Sequence, residues 1–256
     1  MRNIHEAADR IEQKFLSEAQ NAVFDTDYHT PKELTTKLSL LREHFGEKKI
    51  NILDAGGGNG SFTDSVLETF PRWSSTIIDI SDHLLSQNAP HPRKRLVKAS
   101  IFDAATVLSG EKFDVVSINW ILHHLVGKNY RDSINNISRA LSICTSMLNK
   151  NGLICIGENR YQGIGDCNIP AWLIYRLTTL RNPLVVSLVR KHANTAGVGV
   201  CFQSEQAWTN LFTQAGLKEI YPRFHNHPFE IRGLKKWALL IKTAGKVHFY
   251  LTPVRS

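Results

Sequence analysis

Along the chain, short apolar runs at residues 50–54, 75–79, 95–99, 113–118 and 153–158 show little alternation with polar positions. Unalternating runs of this length predict strands covered by helices on both faces, the habit of a parallel sheet. Between the fourth and fifth runs, Ile134, Ile137, Leu141 and Leu148 predict a crossover helix. Right-handed crossovers bring the loops after all five strands to one sheet edge, where open α/β folds bind ligands. Upstream, Ala7, Ile11, Phe15 and Ala19 recur every fourth residue and predict an amphipathic helix. A second helix begins after Thr30, with Pro31 in its first turn, Glu33 completing a capping box, and Leu34, Leu38, Leu41 and Phe45 on its buried face.

Past the fifth strand the pattern breaks. Residues 159–200 are too apolar for a solvent loop, and Pro183 splits them into two short helices. The segment reads as an inserted lid, with a dimer contact or an interfacial membrane element as alternatives. Regular structure resumes at Ser204, an N-cap for a helix striped by Trp208, Leu211, Phe212 and Ala215 and ended by Gly216. Residues 217–224 and 236–242 then predict an antiparallel hairpin, with 247–252 as a further edge strand.

The chemistry concentrates after the first strand, where Ile52, Leu53 and Asp54 run into Gly56, Gly58 and Gly60 ahead of a helix start. Alternate glycines let the backbone turn tightly and approach a ligand, and the helix N-terminus presents bare N–H groups to it. The spacing is D-x-G-x-G-x-G and not the G-x-G-x-x-G of dinucleotide sites. Asp54 would repel a pyrophosphate but suits an ammonium such as that of the methionine part of S-adenosylmethionine. Asp79 ends the second strand, at the offset of a ribose-binding carboxylate.

From residue 50 to 158 the chain resembles the class I S-adenosylmethionine-dependent methyltransferases. The resemblance rests on the glycine loop, on Asp79, and on the later strands ending at Ala99, Ile118 and Glu158 in the family's order, with a looser likeness in the C-terminal helix and strands. It implies a Rossmann-like α/β fold: a mostly parallel seven-stranded sheet closed by a C-terminal antiparallel hairpin, with helices on both faces. An N-terminal helical cap would span residues 1–48 and the methyltransferase domain 49–256, with 159–200 as the lid. S-adenosyl-L-methionine would be the cofactor and S-adenosyl-L-homocysteine its product. Asp79 and Ile80 would then meet the ribose, Asp54, Gly56 and Gly58 the methionine side, and Ser100, Ile101 and Phe102 the adenine. Ser100 stands where the family often carries Asp. Asn119 and Trp120 would border the reacting methyl, and Tyr28, His29, Glu158, Trp172, Tyr175 and Arg176 would face the acceptor. Displacement at a sulfonium needs alignment above all, and a base only where the nucleophile carries a proton; His123 and His124 are the candidates for it.

Charge refines the partner. Through Leu125 the chain holds 14 Lys and Arg against 17 Asp and Glu; the remainder holds 17 against 6, within an overall +8. The basic second half would attract an anionic small molecule, an acceptor on an acidic carrier protein, nucleic acid or a membrane surface. The expected activity is methylation of O, N or C on a small-molecule acceptor. An RNA methyltransferase using the basic half and a non-catalytic cofactor-binding scaffold are the alternatives. The fourth strand ends without the Asn/Asp-Pro-Pro-Tyr/Phe motif of enzymes acting on exocyclic base amines. Four scattered cysteines and no clustered His pattern predict neither zinc nor disulfides. No apolar leader or 18-residue apolar run occurs, so the reading is a cytoplasmic protein of open oligomeric state.

Overall fold

The computed structural model describes residues 13–17, 20, 29–190 and 194–254. Its core is one eight-stranded sheet ordered β3-β2-β1-β4-β5-β8-β6, with β7 also paired to β8. The strands are β1 (Asn51–Ala55), β2 (Ser74–Asp79), β3 (Lys94–Lys98), β4 (Phe113–Asn119), β5 (Leu148–Gln162), β6 (Leu217–Glu219), β7 (Phe224–Pro228) and β8 (Thr243–Pro253). The first five are mutually parallel, and β8 runs antiparallel to β5, β6 and β7. The parallel part is the helix-covered sheet that the apolar runs predict, and the whole is the Rossmann-like fold that the resemblance implies, with eight strands in place of seven.

Successive residues of the central strands feed two separate cores, because side chains alternate across a sheet. Leu53, Val116, Ile154 and Phe249 join Ile137 and Leu141 of helix α5 (Tyr130–Ser146) and Trp208 and Phe212 of α8 (Glu205–Gln214) on one face. On the other, Ile52, Val115, Cys155 and Tyr250 pack on Leu41 and Phe45 of α1 (Pro31–Phe45) and Phe62 and Val66 of α2 (Ser61–Thr69). Three-residue 3-10 turns aside, the remaining helices are α3 (Asp82–Ser86), α4 (Ala104–Val107), α6 (Ile169–Thr179), α7 (Pro183–Arg190) and α9 (Leu234–Ala238). Helix α1 carries the expected capping box: Thr30 Oγ1 accepts from Glu33 N, and Glu33 Oε2 accepts from Thr30 N at 2.7 Å. Pro183 starts α7, as expected of a residue without an N–H.

Four expectations need correction. The helix drawn through Phe15 is not formed over residues 13–17, which are irregular and held by Lys14 N donating to Val126 O at 2.8 Å; Ala7, Ile11 and Ala19 lie outside the described residues. Residues 236–242 do not form a strand: Gly233 opens the short helix α9, and the partner of residues 217–219 is β8. The stretch 247–252 is accordingly no edge but an interior strand, buried between β5 and β6/β7. Leu148 begins β5 instead of ending the crossover helix, and β3 is the exposed edge, with Lys94, Arg95 and Lys98 along it. No described helix is long and apolar enough to cross a membrane, and no described His, Cys, Asp and Glu group could hold a metal. All four cysteines are free thiols, and burial pushes Cys144, Cys155 and Cys201 up to about 12.

Candidate active site

Strand order reverses between β1 and β4, and a cavity of about 400 Å³ opens at the C-terminal ends of the strands there. Its floor is the glycine loop. Gly56, Gly58 and Gly60 all hold positive φ, at 73°, 53° and 78°. Gly57 is needed for a different reason: a Cβ on it would lie 2.7 Å from the Asp54 carboxyl group.

Two carboxylates mark the rim of adjacent strands. Asp79, at the end of β2, accepts from Gly58 N at 3.0 Å and from Ser81 N at 2.9 Å. These bonds tie the glycine loop to the second strand and hold the carboxylate in the cavity wall. Asp54 is almost wholly buried and accepts from Thr63 Oγ1 at 2.9 Å. Burial raises its pKa to about 6, against the opposing pull of the Thr63 hydroxyl and the Lys37 ammonium. Gly56, Gly58, Ile80, Ser100, Ile101, Asn119 and Trp120 also line the cavity. Ser100 caps the single turn Ile101–Asp103, its Oγ accepting from Phe102 N at 3.2 Å. Phe102 itself is not in the cavity; the turn directs it to the helical layer, where it packs on the core.

Trp120, directly after β4, has φ 54°. For a bulky residue this is a strained conformation costing on the order of 1–3 kcal/mol, and such strain gathers at functional sites. Its ring stands edge-on to His29 at 4.8 Å, and the Lys246 ammonium lies 4.6 Å over it. His29 stacks on Phe62 at 5.2 Å and faces the cavity. Burial first, and then the positive charge of Lys37, lower its pKa to about 2, so its imidazole is neutral throughout the ordinary pH range.

The histidine pair past β4 divides in role. His123 Nδ1 lies 2.6 Å from Glu158 Oε2, and Glu158 Oε1 accepts from Leu122 N at 2.8 Å. Both His123 and His124 line the cavity. Burial, helped by His123, holds His124 well below its ordinary value. Glu158 does not face the acceptor as expected: its side chain is fully buried, and it touches the cavity lining through His123 and the Asn159 N–H.

Sequence reasoning missed a polar group behind Asn119. Lys37, fully buried, donates from Nζ to Asn119 Oδ1 at 2.6 Å and sits 4.6 Å over the Phe62 ring. Glu33 on the same helix faces Lys246 Nζ and His248 Nε2, each at 3.5 Å. A lysine inside the Leu34–Leu38–Leu41 stripe was the available signal; the pairing with Lys246 and His248 of β8 had none. Phe229 and Val198 complete the cavity wall.

Tyr28 lies outside the described residues. Trp172, Tyr175 and Arg176 are not brought to this cavity. They line a second, open cleft beside it, and Gln13 and Lys14 belong to both. Tyr175 turns inward to Tyr130, with ring centroids 5.2 Å apart.

Comparison with known proteins agrees with this geometry. Residues 53–154 match the family described as Methyltransferase domain. No curated protein sequence matches the chain. An S-adenosylmethionine-dependent methyltransferase from Geobacter sulfurreducens, solved with S-adenosyl-L-homocysteine, is similar over 95% of this chain and 100% of its own, at 16% identity and a TM-score of 0.57. The mitomycin 7-O-methyltransferase MmcR is similar over 93% of this chain, at 14% identity and a TM-score of 0.53. At such identities the likeness is one of fold. The chain spans 61% of MmcR and 55% of the calicheamicin biosynthetic methyltransferase CalO1, a similar structure at 16% identity over 87% of this chain with a TM-score of 0.47.

Proposed function

We propose that this chain, whose residues 53–154 match a methyltransferase domain and whose fold is like that of S-adenosylmethionine-dependent methyltransferases, methylates an oxygen or nitrogen of a small molecule. The observation that carries the proposal is the joining of a glycine loop to the Asp79 carboxylate in a cavity that also exposes a carboxylate-bound histidine. Residues present in the cavity fit the cofactor. Asp79, a carboxylate at the end of β2 in the cavity wall, suits ribose hydroxyls, which donate to carboxylate oxygens. Ser100 and Ile101 stand at the next strand end for the adenine, and Asp54 provides a buried negative charge for the ammonium. When bound, S-adenosylmethionine would supply an electrophilic methyl on a sulfonium.

The protein's part is alignment and proton handling. Asn119, fixed by Lys37 and by its own Nδ2 donating to Ser117 Oγ at 2.9 Å, and Trp120 form the wall beside the reacting centre. Glu158 accepts the Nδ1 proton of His123, which fixes the tautomer and leaves Nε2 to take a proton from the acceptor. His29, kept neutral by burial, serves as a hydrogen-bond acceptor that orients the same group. Residues 159–200 act as the cover, contributing Asn159 and Val198 to the cavity wall. The described part of the N-terminal cap adds Lys14, Phe15 and Leu16 to the cavity lining.

The test is incubation with methyl-labelled S-adenosylmethionine and a panel of small hydroxy and amino acceptors. Label transfer to one class is expected, with His123→Gln lowering kcat about a hundredfold or more while affinity for S-adenosyl-L-homocysteine holds. Full kcat in His123→Gln would remove that residue as base. No transfer to any acceptor, with the cofactor bound, would favour a scaffold.

A further inference from the structure

The second cleft is built from cations. Lys14, Lys128, Arg131, Arg176 and Arg181 line it, together with Trp172 and Tyr175, and among the described residues no acid does. These charges come from four different segments: the stretch 13–17, the approach to α5 and its first turn, helix α6, and the link to α7. No ion pair among the described residues holds Arg131, Arg176 or Arg181. The nearest acid of α5, Asp132, is engaged by Asn129, which caps that helix and donates from Nδ2 at 2.8 Å. The like charges of Arg131, Arg176 and Arg181 in one cleft repel one another, and an anion relieves that repulsion. The effect is visible on Lys14, whose pKa is lowered by burial and then by the charge of Arg181.

Three details suit a phosphate group in particular. Arginine forks match phosphate oxygens in pairs, and three of the five cations are arginines. Arg176 is braced over the Trp172 ring at 5.7 Å, so its head is already oriented. Gln13 and Lys14 line this cleft and the cavity alike, so the two lie side by side on that segment.

We propose that the second cleft binds the phosphate-bearing end of the acceptor while its reacting atom enters the cavity. The inference rests on the methyl-transfer reading and extends it to the substrate class. A free phosphate anion would be held by the same chemistry, and the experiment separates the two.

The full chain is titrated separately with pyrophosphate and with S-adenosyl-L-homocysteine at constant ionic strength. The wild type is expected to bind pyrophosphate. The double variant Arg176→Gln/Arg181→Gln should lose affinity for it about tenfold or more, as should Arg131→Gln on a different helix, with S-adenosyl-L-homocysteine affinity unchanged. No pyrophosphate binding, or equal binding by the variants, overturns the proposal. Acceptor pairs with and without a terminal phosphate are then compared in the transfer assay. The phosphate should lower KM in the wild type and give no advantage in the double variant. Equal KM values for both members in the wild type would assign the cleft to a free anion and overturn the acceptor role. Pyrophosphate binding with no S-adenosyl-L-homocysteine binding would also overturn that role, and the fault would lie in the methyl-transfer reading.

Discussion

Asp54 shows how one buried carboxylate couples stability to ligand. Its folded pKa of about 6 lies above the ordinary 3.8, so the folded protein binds this proton more tightly than the unfolded chain. Its contribution to stability is therefore fully present below 3.8 and is lost as pH rises through about 6. Denaturant titrations of the ligand-free protein should show Asp54→Asn abolishing that decline. A cationic ligand group beside Asp54 reverses the balance, because it favours the charged form. Cofactor affinity should accordingly rise with pH over the same interval, and calorimetry on Asp54→Asn should find a flat profile. Gly57→Val should weaken cofactor binding at every pH, because its Cβ would displace the Asp54 carboxyl group. At this scale the sequence is legible where the signal is local: Asp54, Asp79 and the glycines sit beside one another or one strand apart. Glu158 and Phe102 were misplaced because a one-residue change of direction in a strand or turn decides between cavity and core. Lys37 was overlooked because its partner Asn119 is 82 positions away in the chain.

Among the elements, α1 links the sheet to the site. Thr30 caps it, and the same Oγ1 accepts from Asn226 Nδ2 of β7 at 2.7 Å. Thr30→Ala should lower unfolding stability by about 1–2 kcal/mol in urea denaturation, through the lost cap and the unpaired Asn226. Trp208 on α8, fully buried against Phe212, is a purely structural counterpart: Trp208→Ala should cost about 3–5 kcal/mol by the same measurement. Helices with caps and apolar stripes were readable, and so were strands buried on both faces. Of the C-terminal strands, 217–219 and 247–252 were readable, but their pairing was not. Leu234, Trp237 and Leu240 recur at helical spacing, while residues 236–242 can equally be read as an apolar run. Only the pairing of β8 with β5, β6 and β7 settles which stretch enters the sheet, and that pairing is a long-range choice.

For the whole molecule, the asymmetry of charge acquires a location. The excess cations of the second half concentrate partly in the cleft beside the cavity, where residues from both halves meet. The central claim is that the cavity above the glycine loop holds the nucleoside cofactor through Asp79. The most direct measurement is a calorimetric titration of S-adenosyl-L-homocysteine into the wild type and Asp79→Asn. Saturable one-site binding is predicted for the wild type, weakened by about 1–3 kcal/mol in the variant. Absence of binding to the wild type, or equal affinity in the two proteins, would contradict the account.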